Sequence, residues 1–430
     1  MIDVLTEDFR QTPYWWDAAP PEPAAAAIPE ATDVAIIGSG YTGLCCAIEL
    51  AGHGVGTVVL EAGDLGAGAS TRSGGMVTGG QKLVVSGATH GIAPERRARL
   101  LEDAHESLAM LEQRIADYRL DAEYERYGRL ILAHIPRHYE RLVRWAELLR
   151  RAGSAVSLLS REALAGEVGG TRYHGGLLIE DYGGLHPAKY HRALRRAACD
   201  RGAVLASHAA VGAIRRLAEG FEVVTGRGVL RARSVVVGTN GYTGPLIPHL
   251  QRRVVPVTAY VIATEPLPPG LPEKLIPHRR MLSDTKRQLY WIRLSPDGTR
   301  MIFGARPHLV DTDTQTAARS MHGMLAGVWP ELADVRISHC WTGNVAMSVD
   351  HLPHMGVHDG IHYALGCNGS GVAMMSYLGQ QTARKILGTQ NRPCAFDSAD
   401  FPPFPLYRGW PWFVPLVAAW RRLRDKLESR

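Results

Sequence analysis

Three glycines in the run GSGYTG, residues 38–43, could bind a phosphate group. Four apolar residues before the run predict a buried strand, and a helix is predicted after it, from residue 44 to about residue 52. In this context the first glycine permits a tight turn, the second lets the backbone approach a pyrophosphate, and the third lets helix and strand pack closely. The N-terminus of the helix would face the phosphates. The predicted phosphate site therefore consists of Gly38, Gly40, Tyr41, Thr42 and Gly43.

An acidic residue completes this βαβ pattern. The apolar run at residues 57–60 predicts a second strand, which is followed by Glu61 and Ala62. A carboxylate at this position accepts hydrogen bonds from a ribose, which suits FAD or NAD and disfavours NADP. The pattern taken alone leaves FAD and NAD both open.

A glycine-rich loop follows the second strand. Residues 63–80 contain seven glycines, and small hydroxylated residues lie between them. Such a loop can present many backbone N–H groups to one ligand, although a flexible surface loop has the same composition. Arg72 is its one basic residue and could face a phosphate or a substrate. The candidate contacts are Ser70, Thr71, Arg72, Ser73, Gly74 and Gly75.

Two further glycine-containing segments end predicted strands. The run VVVGTNGY places Thr239 and Asn240 after a buried strand, where ligands approach open α/β sheets. Residues 361–388 predict a strand, the loop GCNGSG and a long amphipathic helix, whose N-terminus favours negative charge. This second element has no βαβ partner, so we interpret it as closing over one end of a cofactor that is bound by the first. FAD is long enough to need both elements.

Aromatic residues and one histidine are the candidates for contact with a substrate. Tyr260, Tyr290, Trp291 and Trp341 could enclose an aliphatic amine and favour a nearby cation. Each of them alone is more often a core residue. His186 and His351 are weaker candidates, and a buried, hydrogen-bonded histidine is an equally good interpretation of His186.

Composition excludes several other classes of protein. The chain has 430 residues and a net charge of +6, and its Lys and Arg residues are scattered except near the C-terminus. This charge requires no nucleic acid to explain it. The six cysteines show no CxxC spacing, which predicts neither a disulfide framework nor a metal site. With no 18-residue apolar run and no signal-peptide pattern, the sequence predicts a cytoplasmic protein.

The predicted elements indicate an α/β fold with two domains. Residues 94–119 and 136–152 have helical periodicity. Residues 254–310 are rich in predicted strands, with a turn at 295–298, and the strands are Val254–Ala263, Gln288–Leu294 and Arg300–Gly304. A mostly antiparallel sheet inserted in an α/β chain is suited to hold a substrate. We assign residues 31–90, 155–245 and 340–395 to the cofactor domain, and residues 91–154 and 246–339 to the substrate domain.

The two ends of the chain contain unusual aromatic clusters. The lead-in, residues 1–30, contains Tyr14, Trp15 and Trp16, which we expect to dock on the body or on a partner subunit. The tail, residues 396–430, is aromatic and then basic. We expect it to pack on the body through its aromatic face; an interfacial membrane helix is the less favoured alternative.

Several stretches together resemble the D-amino-acid oxidase-like family of FAD-dependent oxidoreductases. They are GSGYTG with LEA, GAGASTRSGG and GCNGSGVAMMSYLG. The likeness extends to YWWD, RYHGGLLIEDYGGLHP, WTGNVAMSVDHLPHMG and the tail, and it is closest to the branch that oxidises gamma-glutamylputrescine. It implies a Rossmann-type FAD-binding domain with an inserted antiparallel-sheet substrate domain. It also implies an oxidoreductase that acts on a C–N bond.

The resemblance also implies roles for individual residues. The first glycine turn and Glu61 would bind the ADP half of FAD, and Val211 would lie near the adenine. Ser70, Arg72, Gly74 and Gly75 would reach the flavin side. The residues beside the isoalloxazine would be Asn368, Gly369, Gly371 and Val372.

Three departures from the family narrow the chemistry. The family pattern W-x-G-x-R-P carries an arginine that clamps a substrate carboxylate, but residues 341–346 read WTGNVA, which disfavours a simple α-amino acid unless Arg293 or Arg306 substitutes. The cysteine that tethers flavin in sarcosine oxidases aligns with Gly343, so we predict non-covalent FAD. The lysine that activates oxygen in those enzymes aligns with Ile302, so reactivity with oxygen is not assured.

The favoured function is oxidation of a small amine, gamma-glutamylputrescine-like or another secondary amine, to an imine and then an aldehyde. The acceptor would be O2. Two alternatives stay open: an amine or D-amino-acid dehydrogenase that passes electrons to a quinone or carrier, and a flavin-binding protein without turnover. An NAD enzyme would need a second nucleotide fingerprint, and the sequence contains none. Oligomeric state is not predicted.

Overall fold

The computed structural model of the chain describes residues 3–170, 172–398 and 400–428. The strands, in chain order, are β1 (Leu5–Arg10), β2 (Ala31–Ile37), β3 (Thr57–Leu60), β4 (Met76–Thr78), β5 (Arg129–Leu132), β6 (Val156–Leu159), β7 (Gly176–Ile179), β8 (Tyr182–Gly184), β9 (Val204–Ala206), β10 (Val211–Arg216), β11 (Phe221–Thr225), β12 (Gly228–Val237), β13 (Val255–Thr264), β14 (Met281–Asp284), β15 (Trp291–Leu294), β16 (Met301–Ala305), β17 (Ile337–Met347), β18 (His354–His358) and β19 (Ile361–Leu365). The α-helices are α1 (Tyr41–Gly52), α2 (Gln81–Val85), α3 (Pro94–Asp117), α4 (Pro136–Arg151), α5 (Arg161–Leu164), α6 (Pro187–Cys199), α7 (Pro248–Gln251), α8 (Leu271–Leu275), α9 (Thr314–Val328), α10 (Gly371–Leu387) and α11 (Val414–Glu428).

The smaller of the two main sheets carries the predicted βαβ unit. Its order is β10-β11-β12-β2-β3-β9, and β19 also pairs with β12 while β18 pairs with β19. The pairs β2–β3, β3–β9, β12–β2 and β12–β19 are all parallel. Because parallel strands need crossover connections, α1 and α6 return the chain across this sheet. The predicted α/β fold is confirmed.

The larger sheet has the order β1-β17-β13-β16-β15-β14-β5-β7-β6 and is mainly antiparallel. Its pairs β13–β17 and β13–β16 are antiparallel, as the sequence predicts for the substrate region. Apolar residues on its strands pack with α9 to form a core of their own. The division into domains stays a prediction. The predicted cofactor segment 155–245 includes β6 and β7, whereas these two strands join the larger sheet.

The N-terminal lead-in docks on the body as predicted, and it also supplies a strand that the sequence did not indicate. β1 pairs in parallel with β17 at the edge of the larger sheet. Trp15 is fully buried, and its indole donates to the Ser73 carbonyl, while the Trp16 indole donates to the Thr71 hydroxyl. These contacts fix the glycine loop from outside.

Two predicted element boundaries were wrong. α1 begins at Tyr41 and not at Leu44, because Gly40 already serves as its N-cap. β15 begins at Trp291 and not at Gln288, since the Gln288 and Tyr290 amides donate to carboxylates instead of joining the ladder.

Candidate active site

The turn between β2 and α1 has the geometry that the fingerprint predicts. Gly38 has φ +99°, in the region that favours glycine. A Cβ on Gly43 would lie 1.9 Å from the Gly38 carbonyl oxygen and 3.1 Å from an Ile36 methyl group, so only glycine permits this approach of helix to strand. Gly40, the N-cap of α1, has no side chain, and the Tyr41 N–H donates to the Ser70 hydroxyl at 3.0 Å. The N–H groups that follow Tyr41 in the first turn receive no side-chain cap from Gly40 and could face a phosphate.

Glu61 joins the end of β3 to this turn. One carboxylate oxygen accepts from the backbone N–H and the hydroxyl of Ser39, at 2.9 and 2.7 Å. The other accepts from the N–H groups of Ala62 and Gly63, at 2.8 and 3.3 Å. The carboxylate is thereby fixed beside the turn. These four bonds use the roughly four lone-pair sites of a carboxylate, so a ribose hydroxyl would share one of them or replace the Ser39 hydroxyl.

Val211 lies close to the same end of the sheet. The N–H of Ala209 donates to the Glu61 carbonyl at 2.7 Å, and β10 begins two residues later at Val211. The sequence could not place these residues beside Glu61, because about 150 residues separate them along the chain. The contact of Val211 with the adenine stays a prediction.

The glycine loop after β3 is held by side chains from three directions. The Ser70 hydroxyl accepts from the Tyr41 N–H at 3.0 Å, and the Tyr41 hydroxyl donates to the Ser70 carbonyl at 2.6 Å. At its far end the fully buried Arg293 donates to the carbonyls of Gly74, Gly75 and Leu185. Burial lowers the pKa of Arg293 to about 10. The side chains of Tyr41 and Arg293 therefore position this loop.

Arg72 differs from its predicted orientation. Its guanidinium donates to the Ala67 carbonyl at 2.8 Å and to the Thr342 carbonyl at 3.1 Å, and it lies 4.6 Å from the centre of the Trp16 ring. These contacts tie the glycine loop to β17. The guanidinium thus serves the packing of the loop, and the role predicted for it toward a phosphate or substrate stays untested.

The second glycine loop, residues 366–371, lies between β19 and α10. Asn368 has φ +48°, and its buried amide bonds the Ser348 hydroxyl and the Gly366 carbonyl, while its oxygen accepts from the Ser348 N–H. The Asn240 side chain accepts from the N–H groups of Gly366 and Cys367. Both asparagines therefore shape the loop through their side chains. The part of the loop that could meet a ligand is Gly369 and the start of α10, because the N–H groups of the other loop residues donate within the protein.

Helix α10 packs directly on α1. A Cβ on Gly379 would lie 2.1 Å from the Thr42 carbonyl oxygen, and Val372 joins the apolar core on this face. Thr239, which was predicted to approach the nucleotide, bonds the Thr243 hydroxyl at 2.8 Å just after β12. The elements that carry the two glycine turns are thus joined in one structure, as the length of FAD requires.

The predicted substrate-contact residues separate into different environments. The Tyr260 hydroxyl exchanges hydrogen bonds with the Thr312 backbone, and its ring is buried in the core of the larger sheet. The His186 ring caps α6 by accepting from the Lys189 N–H at 3.2 Å, and burial lowers its pKa to about 4. Both side chains are committed to the fold. The interpretation of Tyr260 and His186 as catalytic is not supported by these contacts.

Trp341 and Tyr290 lie on opposite sides of the larger sheet. Trp341 is fully buried with Trp15, Trp291 and Ile302, and its indole donates to the Arg72 carbonyl at 2.8 Å. Tyr290 packs with the other core, and the Lys286 ammonium lies 3.8 Å from its ring centre. The two aromatic rings therefore cannot enclose one substrate. Of these two, Trp341 contacts the glycine loop, and Trp291 on the same side of the sheet lies against Gly74.

Two residues that the sequence reasoning did not select lie at the second glycine loop. Lys82, on α2, donates its ammonium to the Asn368 carbonyl and lies 3.2 Å from the position of a Cβ on Gly369. Burial lowers its pKa to about 8. Val345 approaches the same Gly369 position to 3.9 Å. A lysine two residues after a pair of glycines is too common a pattern to select Lys82 from the sequence. Val345, by contrast, lies in the stretch that was compared with the pattern W-x-G-x-R-P.

Comparison with known proteins identifies the family. The profile of the family described as "DAO: FAD dependent oxidoreductase" matches residues 33–385, which include both glycine turns. The chain belongs to this family. It is an FAD-dependent oxidoreductase that acts on C–N bonds of amines or amino acids. Family membership also removes the alternative of a flavin-binding protein without turnover.

Individual relatives cover most of the chain. It is 31% identical over 401 residues to the gamma-glutamylputrescine oxidoreductase of Escherichia coli, covering 92% of this chain and 93% of the relative. It is 30% identical over 380 residues to the probable oxidoreductase OrdL of Haemophilus influenzae, covering 87% of each. The crystal structure of glycine oxidase from Geobacillus kaustophilus superposes with a TM-score of 0.72 at 22% identity, covering 88% of this chain and 100% of that one. That likeness establishes the fold.

The residues present fit FAD. The glycine turn at the N-terminus of α1, where Gly40 provides no side-chain cap, suits a pyrophosphate, and the carboxylate fixed beside it suits a ribose. Cys340 is buried in the core of the larger sheet, which fits the predicted non-covalent binding that is typical of the family.

Proposed function

We propose that the protein oxidises a C–N bond in a small amine that carries a carboxylate away from the reacting nitrogen, as gamma-glutamylputrescine does. The product imine is hydrolysed by water to an aldehyde and an amine or ammonia. O2 is the proposed acceptor. The similarity to the gamma-glutamylputrescine oxidoreductase over nearly the whole chain supports this choice but does not by itself name the substrate.

The observation that carries the proposal is Val345. In the pattern W-x-G-x-R-P this position holds the arginine that binds an α-carboxylate, and here it is an apolar side chain beside Gly369. The substitutes considered from the sequence are committed elsewhere: Arg293 bonds loop carbonyls, and Arg306 bonds the Thr258 carbonyl and Asp311. A buried carboxylate without a partner is costly, so an α-amino acid is disfavoured next to Val345.

The position of Lys82 favours a substrate whose carboxylate is farther from the reacting carbon than an α-carboxylate is. Its ammonium lies on the same loop, and the charges of Arg129 and Arg421 are close enough to lower its pKa further. Together the three cations make this side of the site positive. A substrate with a remote carboxylate would gain a charge-assisted hydrogen bond there, while its amine lies elsewhere.

The chain itself orients the substrate and excludes water. When bound, FAD supplies the two-electron oxidation of the substrate. Trp341, Ile302 and Trp15 form a dry apolar wall behind the glycine loop, which favours the unprotonated amine over its ammonium form. The buried Arg293 keeps the loop in place through its carbonyls. No side-chain base is required by this scheme.

A dehydrogenase that passes electrons to a quinone or carrier is the second candidate. The observation that favours it is Ile302, which is fully buried at the position where sarcosine oxidases have the lysine that activates oxygen. Oxygen consumption and peroxide formation during turnover distinguish the two candidates. An enzyme whose flavin is bleached by the amine but which makes no peroxide in air is a dehydrogenase.

The substrate is tested with an anaerobic panel that contains gamma-glutamylputrescine, putrescine, sarcosine and D-amino acids. We expect gamma-glutamylputrescine to bleach the flavin absorbance fastest and putrescine, which lacks the carboxylate, to act more weakly. Bleaching by D-alanine at the highest rate would contradict the proposal.

The role of Lys82 is tested by Lys82→Met, with the exposed Lys274→Met as the matched control. Loss of one charge-assisted hydrogen bond costs about 1.5–3 kcal/mol, so KM for gamma-glutamylputrescine should rise about 10- to 100-fold. KM for putrescine should change little. Equal rises for both amines would show that Lys82 maintains the loop and does not bind a carboxylate.

A further inference from the structure

The C-terminal helix α11 turns its apolar side chains toward solvent. The expected packing of the aromatic face on the body is wrong for three tryptophans: Trp410 is 76%, Trp420 58% and Trp412 49% exposed. Leu416 is 63% exposed, and Ala418 is the one residue of the helix that is buried among those described. A surface helix normally buries its apolar face against the core and exposes its polar side chains. The exposed members of this surface are Trp410, Trp412, Leu416, Val417, Trp420, Leu423 and Leu427.

The polar side chains of the same helix attach it to the body. Arg287 bonds both Asp425 and Glu428, at 3.4 Å and 2.5 Å. The Arg422 guanidinium donates to the Gln288 side chain at 2.6 Å and to the carbonyls of Arg306 and Pro307. This anchoring fixes the outward orientation of the apolar face, since rotating the helix would break all of these bonds.

Cations surround the apolar surface, and one of them, Arg424, also pairs with the tail acid Glu428 at 3.6 Å. Arg408, Arg421, Arg424 and Lys426 are exposed. The acids of residues 406–428 are Asp425 and Glu428, and both face Arg287. The outward face is therefore apolar in its centre and positive at its edge.

We propose that this face binds the surface of an anionic lipid bilayer, with the tryptophans and leucines at the headgroup boundary and the cations on lipid phosphates. Tryptophan favours that boundary, and basic residues beside an apolar helix face are typical of interfacial helices. No helix in the described parts of the chain is long and apolar enough to cross a membrane, so α11 would lie along the surface. For a cytoplasmic protein the relevant surface is the inner leaflet, which carries anionic lipids.

Charge also argues against a second copy of the chain as the occupant. A twofold contact through this face would bring Arg421, Arg424 and Lys426 toward their own counterparts, and like charges oppose such a contact. An anionic surface is attracted by the same residues. The lipid surface therefore fits both the apolar and the charged parts of the face.

Arg421, at the edge of this surface, is close enough to Lys82 of the candidate site to lower the pKa of its ammonium, and it lowers the pKa of His351 as well. Contact with a bilayer would thus bring the site near lipid-soluble electron acceptors, which connects this inference to the dehydrogenase candidate. Binding to lipid can nevertheless be measured without turnover, so its failure and the failure of the proposed reaction are distinguishable.

The test is cosedimentation of the full-length, FAD-loaded protein with vesicles of phosphatidylcholine alone or of equal parts phosphatidylcholine and phosphatidylglycerol. We expect binding to the anionic vesicles only, weakened by salt. The variants Leu416→Ser/Trp420→Ser and Arg421→Glu/Arg424→Glu should each reduce the bound fraction at least about tenfold, since both contributions are required. Matched controls are Val229→Ser/Val310→Ser and Arg97→Glu/Arg99→Glu, which change exposed residues elsewhere and should bind like the wild type.

Three results would overturn the inference. The first is no sedimentation with either vesicle, and the second is binding that the tail variants leave unchanged. The third is a stable dimer or a complex with an acidic protein that the Leu416→Ser/Trp420→Ser variant dissolves while lipid binding is absent. Circular dichroism and flavin absorbance of each variant confirm that the fold and cofactor are retained.

Discussion

Substitution of Gly43 by alanine tests whether the close approach of α1 to β2 builds the cofactor site. The new Cβ would lie 1.9 Å from the Gly38 carbonyl oxygen and 3.1 Å from Ile36, and the first contact is with backbone, which cannot rotate away. Reaching an ordinary separation requires a displacement of about 1 Å or more between helix and strand. Overpacking of this kind costs about 1–3 kcal/mol.

The matched control is Gly52→Ala at the other end of the same helix. A Cβ there would lie 3.6 Å from Arg201, an ordinary contact with a flexible side chain. Alanine is favoured over glycine inside a helix by about 0.5–1 kcal/mol, so this variant should be neutral or slightly stabilised.

The assay is titration of apoprotein with FAD, followed by quenching of flavin fluorescence, with thermal unfolding of the apoprotein alongside. We expect Gly43→Ala to weaken FAD binding at least about tenfold, because each 1.4 kcal/mol corresponds to a factor of ten, and to lower the Tm by several degrees. Gly52→Ala should match the wild type in FAD affinity. Wild-type affinity and Tm in Gly43→Ala would refute the reasoning that helix–strand contact at residue 43 sets the phosphate turn.

Four further outcomes follow from the same structure. Because the pKa of Lys82 is lowered to about 8, the preference for gamma-glutamylputrescine over putrescine should decline as pH rises through about 8; a constant ratio of kcat/KM from pH 7 to 9 would exclude the ammonium from recognition. His186 has a pKa lowered from 6.5 to about 4, so it is neutral at neutral pH, and the stability it supplies is present above about 6.5 and lost as pH falls toward 4; the Tm difference between His186→Asn and wild type should therefore narrow on acidification. Tyr260→Phe should cost about 1–3 kcal/mol of stability through the unpaired Thr312 backbone while kcat is kept, and a large loss of kcat at unchanged Tm would return Tyr260 to the catalytic candidates. Acid precipitation should leave the yellow FAD in the supernatant, whereas a yellow pellet would reveal a covalent bond.

The parts of the fold that the sequence predicts correctly are those that depend on residues close to one another along the chain. The βαβ unit follows from residue types within about 30 positions: apolar runs, a glycine turn and a terminal acid. The strand β1 escaped prediction because its pairing with β17 joins residues more than 300 positions apart. The early start assigned to β15 failed similarly, since Asp425 on α11 binds the Arg287 and Gln288 backbone.

The candidate site shows the same division. Gly38, Gly43 and Glu61 could be selected from sequence because phosphate and ribose contacts need those residue types at that spacing. The roles of Tyr260 and His186 could not be predicted from sequence. A hydroxyl or an imidazole ring forms its hydrogen bonds with whichever backbone groups the fold places next to it. Their partners, Thr312 and Lys189, became visible only in three dimensions.

The sequence by itself determined a dinucleotide turn, a second glycine-capped helix and a valine where relatives carry an arginine, because these properties belong to short segments of covalent chain. The tertiary structure alone decided that Lys82 lies on the second glycine loop and that α11 turns its tryptophans outward. The physical reason is that both depend on which charged groups meet across the fold. An amphipathic pattern gives a helix two faces, but the positions of Arg287 and of the acceptors of Arg422 decide which face meets the protein.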